Sequence, residues 1–214
     1  MSKKEKAMLE ILKSVKDEHQ DDFVYVVPNL FTKKMKSFML IREDINFISE
    51  ITGKLISYKQ SANPDEKVCF ALWQSVIVTY GKCFTENKAG MSKLEKSMLD
   101  THDEKFQVSH DRLIDLRHSY IAHRDDTEKE QAVVFMKIST DKEISDQTEY
   151  LIRARKLMSP GINELKSFLQ LFELLKQEVE RKIQKHGDKT HSAFLELLTP
   201  KQVNMLLINN MKFD

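Results

Sequence analysis

The stretch IDLRHSYIAHRDD, residues 114–126, carries Arg117 and His123 six positions apart. A guanidinium can hold a phosphate through two hydrogen bonds, and an imidazole can accept or donate a proton near neutral pH. At about 100° per residue, two neighbouring stripes form the apolar side of this helix. They consist of His110, Ile114, Arg117 and Ile121, and of Leu113, Leu116, Tyr120 and His123. An unpaired charge on a packed side is unfavourable, so Arg117 and His123 need a partner, a cavity or a ligand.

A purely structural explanation uses the same residues. A long arginine can lie along apolar surface and still reach water with its charged group. Basic side chains such as His118, His123 and Arg124 near a helix C-terminus are favoured by the helix dipole by about 0.3–1 kcal/mol each. His110 lies seven positions before Arg117 on the same stripe, and it is the main candidate for a supporting residue of a site.

Other groups of reactive residues have simpler explanations. Ser109-His110-Asp111 has the residue types of a hydrolase triad, but consecutive helical side chains point about 100° apart and cannot converge. His186 and His191 are predicted to lie in a solvated turn and lack the companions of a zinc site. His102-Asp103-Glu104 is predicted to be a polar connection. The cluster Lys33, Lys34 and Lys36 is most often a solvated helix face, although it could contact phosphate.

Composition limits the class of protein. The chain has 214 residues, of which 41% are hydrophobic and 31% charged, with only 5 glycines and 4 prolines, which is typical of a compact, mostly helical protein. With 34 basic and 33 acidic residues, no global positive field favours nucleic acid, so such binding must be local. Cys69 and Cys83 lie fourteen positions apart in one predicted helix, roughly 20 Å, which is too far for a disulfide. Isolated thiols and the lack of a long apolar run predict a cytoplasmic protein without a membrane segment.

The elements that must position Arg117 and His123 are helical. Apolar residues recur at helical spacing over residues 3–19 and from Leu30 to about Tyr58, with Pro28 interrupting them. Asn63 as N-cap and Pro64 at the first helical position predict a helix that runs to about Glu86. Because its segment VCFALWQSVIVTYGKCF is apolar on more than one side, we expect it to be the central helix of a bundle.

The remaining patterns complete a single domain over residues 1–214. Ser92 and Glu95 form a capping-box pattern before a short helix, and a helix from about Phe106 carries the motif. AVVFMKIST and TEYLIRARK flank a polar loop, which predicts an antiparallel hairpin. Ser159 and Pro160 start a helix that should end near Gly187, where HGDKTHS resembles a linker. Thr199, Pro200 and Gln202 cap a last short helix. The predicted fold is all-α, a helical bundle with a small antiparallel β-hairpin insertion.

The stretch LRHSYIAHRD, residues 116–125, resembles the signature of the HEPN superfamily, in which an arginine is followed after four to six residues by a histidine. It is most similar to abortive-infection-type HEPN proteins, whose signature is approximately L-R-x-x-x-I-A-H-x-D. The likeness covers a HEPN-like core of about residues 60–185. It implies a helical, metal-independent endoribonuclease that acts as a homodimer, in which both copies of Arg117 and His123 line one cleft.

That resemblance also implies the chemistry. Arg117 would hold the phosphate, and His123 would move the protons of the ribose 2′-hydroxyl and of the leaving 5′-oxygen. Tyr120, Arg124, Asp125 and His110 are expected to support the site. One toxin branch of the family has a tyrosine where this chain has Asp125, a carboxylate that repels RNA phosphate unless it is paired, for example with Arg124.

Two functions from different classes remain open. The first is a ribonuclease of a defence or toxin-antitoxin system, with RNA as substrate, an antitoxin protein as partner and neither metal nor cofactor. The second is a catalytically inactive, HEPN-like helical module for protein interaction or nucleotide binding, which the near-neutral charge favours.

Overall fold

The structure is a computed structural model that describes residues 2–86, 90–122, 131–138, 148–155 and 157–208. These residues form six α-helices and one pair of strands: α1 (Lys3–Glu18), α2 (Asn29–Lys59), α3 (Glu66–Phe84), α4 (Glu104–Asp115), β1 (Gln131–Ile138), β2 (Thr148–Arg155), α5 (Ile162–Leu197) and α6 (Pro200–Met205). A 3-10 turn, Lys96–Leu99, precedes α4, and a π-helical segment, Leu116–Ala122, follows it. The predicted all-α bundle with a β-hairpin insertion is confirmed.

The two strands form the predicted antiparallel hairpin. They pair in continuous register from Gln131 opposite Arg155 to Ile138 opposite Thr148. Apolar side chains on both strands are exposed, among them Val134, Phe135 and Ile152. The hairpin therefore leaves apolar surface uncovered within the described part of the chain.

Contacts divide the chain into two compact units, one of residues 1–39 with 180–214 and one of residues 40–179. The larger unit contains the core around α3, where the ring of Trp73 stacks on Phe168 at 5.2 Å and Tyr80 packs against Phe172 at 5.7 Å. Trp73 and Tyr80 have no exposed surface, which confirms α3 as a central helix. The single domain over residues 1–214 stays a prediction.

In the smaller unit, the segment before α2 pairs with the end of α6. The backbone N–H of Val26 donates to the carbonyl of Leu206, and that of Ile208 donates to the carbonyl of Val24, both at 2.8 Å. The ring of Tyr25 meets Phe194 of α5 edge-on at 6.1 Å. These contacts hold the last short helix against residues far away in sequence.

Two predicted helix starts are wrong because side chains close by are bonded differently. Asp65, not Asn63, caps α3, since its carboxylate accepts the N–H of Lys67 at 2.7 Å. The Ser92–Glu95 pattern does not open an α-helix. Glu95 precedes a 3-10 turn without a side-chain cap, and its carboxylate lies 3.7 Å from the Lys93 ammonium.

The predicted bounds of α5 are also wrong at both ends. The helix begins at Ile162, because the hydroxyl of the buried Ser159 accepts from the Lys59 ammonium at 2.7 Å rather than capping the first turn. It continues past Gly187 to Leu197, so HGDKTHS is helical and not a linker. The hydroxyl of Thr190 donates to the carbonyl of Phe31 at 3.0 Å, a tertiary contact that outweighs the low helix propensity of a single glycine.

The last helix follows its sequence signal. Thr199 and Gln202 form a reciprocal capping box with Pro200 at the first helical position, as predicted. Of the helices that the structure describes, none combines the length and the apolar run that a bilayer crossing requires.

Candidate functional site

The motif begins on α4 and continues into the π-helical segment. Asp103 caps α4 by accepting the N–H of Lys105 at 3.0 Å, so the helix begins at Glu104 and not at Phe106. Its packed side is the predicted one, with His110 and Leu113 buried, while Asp111 on the other side is exposed. The sequence pattern therefore orients α4 correctly.

From Leu116 onward, the ideal helical wheel used for the prediction is wrong. Residues 116–122 form a π-helix, whose hydrogen bonds reach one residue further back than those of an α-helix. Each residue of this segment therefore turns through a smaller angle than in an α-helix. Leu116 is still buried, and His118 is still exposed as predicted.

The side chain of Arg117 lies directly over Gly81 of α3. A β-carbon built at Gly81 would overlap Cδ of Arg117 and lie 2.6 Å from Nε and 3.0 Å from Cγ. The contacts with Cδ and Nε are shorter than real β-carbons make, so with any larger residue at position 81 the Arg117 side chain would have to shift. Glycine is thus the residue type that leaves room for the Arg117 side chain at position 81. The position of the half-buried arginine depends on this missing side chain.

His110 forms a buried pair with the residue beside Gly81. The hydroxyl of Tyr80 lies 2.7 Å from Nδ1 of His110, and the ring of Phe84 lies 4.6 Å from the imidazole. Burial lowers the pKa of His110 and raises the pKa of Tyr80, so both groups are neutral at pH 7. The Tyr80 hydroxyl and Nδ1 of His110 therefore share a hydrogen bond between two neutral groups. Helix α3 thus contacts His110 and Arg117 through two consecutive residues, Tyr80 and Gly81.

Of the six predicted site residues, only His110 and Arg117 are described with their side chains. Tyr120 lies in the π-helical segment. His123, Arg124 and Asp125 lie outside the described residues. Their roles, and the convergence of Arg117 with His123, stay predictions.

Sequence reasoning missed Gly81 and Tyr80. A glycine inside an apolar helix costs roughly 0.5–1 kcal/mol relative to alanine, so its presence at position 81 was a signal that something approaches closely. Tyr80 was assigned to the core, where it does lie. Its hydrogen bond to His110 could not be predicted from the sequence, because it depends on how α3 packs against α4.

The other predicted clusters are placed as follows. Ser109, His110 and Asp111 do not converge, because Asp111 accepts from the Lys96 ammonium at 2.7 Å while His110 faces Tyr80. The solvated turn around His186 and His191 is wrong, since both lie within α5. Across the described ranges, no group of three or more metal-binding side chains is assembled.

A cavity of about 540 Å³ lies between α4 and the start of α5. Arg112 lines it, with its Nε 2.6 Å from Oε1 of Glu164. Lys105 and Phe168 also contribute to the wall. Because its arginine is already paired with a carboxylate, this cavity offers an anion less than Arg117 does.

Comparisons of the chain with protein-family models, with curated proteins and with solved structures find no match.

Proposed function

We propose that the chain is a HEPN-type endoribonuclease of a defence or toxin-antitoxin system, which acts in the cytoplasm. In this proposal His123 takes the proton of a ribose 2′-hydroxyl, whose oxygen attacks the adjacent phosphorus. The 5′-oxygen leaves with a proton, and the products carry a 2′,3′-cyclic phosphate and a 5′-hydroxyl. Arg117 holds the phosphate and stabilises the charge on the phosphorane, and no metal ion takes part.

The path of Arg117 supports this proposal most directly. Gly81 has a cost in helix stability and allows Arg117 to lie against α3. Among the residues that the structure describes, the Arg117 guanidinium has neither a hydrogen bond nor an ion pair. A half-buried cation that is held in place, and that pairs with no acidic side chain of the described residues, can bind a phosphate.

The π-helical segment is a second supporting observation. π-helical turns are rare and occur frequently at functional sites, because they place side chains where a regular helix cannot. Here the turn begins one residue before Arg117 and ends one residue before His123. The tight hydrogen bond of the buried His110 to Tyr80 keeps the adjoining end of α4 fixed.

The proposal includes a homodimer. The resemblance to HEPN proteins supports it, since there two motif helices meet and both copies of the arginine and the histidine line one cleft. Two copies of the motif can bring the arginine of one protomer to the histidine of the other. Light scattering at micromolar concentration should therefore give a mass of about twice the 25.1 kDa of one chain.

Cleavage of single-stranded RNA in excess EDTA tests the proposal. We expect the wild-type protein to cleave, and Arg117→Ala and His123→Ala each to lose most of the activity. His118→Ala is the matched control, because His118 is an exposed imidazole next to Arg117. Mixing Arg117→Ala with His123→Ala subunits should restore part of the activity, since one of the two sites then combines an intact arginine with an intact histidine.

Cleavage that is lost in EDTA, that survives both alanine substitutions, or that His118→Ala reduces equally would reject the site.

The alternative, an inactive HEPN-like interaction or nucleotide-binding module, is favoured by the exposed apolar hairpin. Val134 and Phe135 on β1 and Ile152 on β2 are at least 48% exposed, which suits contact with a protein partner. Growth arrest on induction of wild-type protein, absent with His123→Ala, favours the ribonuclease.

A further inference from the structure

A second cavity lies in the unit of residues 1–39 and 180–214, where the start of α2 meets the last part of α5. Its volume is about 390 Å³. Lys33 and Lys34 of α2 and Lys189 of α5 line it. A cavity of this size is large enough for part of a small or extended ligand, and its charged lining indicates an anion.

The walls of this cavity are fixed by contacts between the two helices. The buried hydroxyl of Thr190 donates to the carbonyl of Phe31 at 3.0 Å. The imidazole of His186 stacks on the ring of Phe38, with centroids 5.6 Å apart and planes 12° apart. These contacts hold the lysine backbones at defined positions around the opening, although the lysine side chains themselves are exposed.

Basic residues are concentrated at this place. Residues 29–39 contain three lysines and no acid, and residues 181–193 contain three lysines and one arginine with a single acid, Asp188. The whole chain has a net charge of only +1. The carboxylate of Asp188 accepts from the Gln184 amide at 2.9 Å. The charge of the chain is thus strongly uneven, and a positive patch lies around the cavity.

The imidazole in the cavity wall is affected by this charge. Burial lowers the pKa of His186, and four lysines lower it further because each disfavours a positive ring: Lys34, Lys189, Lys185 and Lys182. Two of the four line the cavity, and the other two lie on α5 beside it. Lysines of both α2 and α5 therefore make the electrostatic potential at the His186 imidazole positive.

We propose that this basic cluster, formed by Lys33, Lys34, Lys182, Lys185 and Lys189, binds the phosphodiester backbone of single-stranded RNA. On α5, positions 182, 185 and 189 recur at helical spacing and form one stripe, about 10 Å long. A stripe of that length suits a row of phosphates better than a single anion. The cluster acts in binding, not in chemistry, and the choice of RNA rests on the proposed function.

The test measures binding without cleavage. A fluorescent 12-nucleotide 2′-O-methyl RNA lacks the attacking hydroxyl, so its anisotropy reports affinity of the full chain whether or not the chain is a nuclease. We expect Lys34→Ala/Lys189→Ala to lower the slope of log Kd against log salt by about 1.4, at about 0.7 per phosphate contact. With affinity at 1 M salt unchanged, this corresponds to about 25-fold weaker binding at 0.1 M salt.

Lys67→Ala/Lys166→Ala is the matched control, because it removes two exposed lysines on α3 and α5 within residues 40–179. It should change Kd by less than about threefold, and circular dichroism should show that both double variants are folded. Equal weakening by the two pairs, or failure of the wild-type protein to bind, would overturn the proposal. The proposal would also be overturned if AMP bound as tightly as the 12-nucleotide RNA, or if the protein bound phosphatidylserine vesicles more tightly than that RNA. If the wild-type protein cleaves no RNA but binds it, and Lys34→Ala/Lys189→Ala weakens that binding, the RNA-binding cluster is supported and the nuclease function is rejected.

Discussion

Gly81→Ala tests whether the position of Arg117 depends on the missing side chain in α3. The added β-carbon would lie 2.6 Å from Nε of Arg117 and would overlap its Cδ, whereas ordinary carbon contacts are about 3.5–4.0 Å. Arg117 must therefore leave its place over α3. We expect the variant to fold and to lose RNA cleavage nearly as completely as Arg117→Ala does.

The effect on stability has two opposing parts. Replacing a helical glycine by alanine stabilises by about 0.5–1 kcal/mol, whereas forcing a side chain into a filled place costs about 1–3 kcal/mol. Gly81→Ala should thus lower the free energy of unfolding by about 0–2.5 kcal/mol in the wild-type chain. In the Arg117→Ala chain the overlapping atoms are gone, and the same substitution should raise it by about 0.5–1 kcal/mol.

Urea denaturation of the wild type, both single variants and the double variant gives the coupling energy, which we expect to be about 1–3 kcal/mol. Gly53→Ala is the matched control, because Gly53 is also helical and a β-carbon there meets nothing within 4 Å. It should stabilise both backgrounds equally. If Gly81→Ala has the same effect with and without the Arg117 side chain, the contact between them is not as described.

Two further predictions follow from the buried groups of α3 and α4. Because the pKa of His110 in the folded chain lies below its usual 6.5, the unfolded chain binds a proton first as pH falls. The stability due to neutral His110 is thus complete above pH 6.5 and declines below it, by at most about 1.4 kcal/mol per pH unit. His110→Gln should remove this decline from the pH profile of stability measured by urea denaturation. A variant profile identical to that of the wild type would contradict the prediction. Burial raises the pKa of Cys83 to about 12, so a disulfide reagent at pH 8 should label it only after unfolding. Rapid labelling of Cys83 in the native chain would show that it is accessible.

The fold could be predicted largely because it depends on local patterns. The capping box at Thr199, the apolar segment of α3 and the hairpin strands each act within a few residues, and all three are found. The predicted helix ends are wrong where a contact with a residue far away in sequence determines where the helix begins or ends. Ser159 is bonded to Lys59, one hundred positions away, and Thr190 is bonded to Phe31, so neither helix end of α5 could be placed from neighbours in sequence.

The site could be predicted only in part for the same reason. The helical pattern correctly places His110 on the buried side of α4, because burial there follows a regular period. It does not predict the π-helical segment, since an added residue per turn leaves no regular spacing to detect. The close approach of Arg117 to Gly81 depends on the packing of α3 against that segment, and periodicity carries no information about it.

The ends of the RNA fragments test the central claim most directly. The purified wild-type chain is incubated with single-stranded RNA in excess EDTA, and the fragments are analysed by mass spectrometry. The proposal predicts 2′,3′-cyclic phosphate and 5′-hydroxyl ends that are formed by His118→Ala and are missing with Arg117→Ala and Gly81→Ala. Fragments with 3′-hydroxyl and 5′-phosphate ends, or cyclic phosphates formed equally well without the Arg117 side chain, would contradict it.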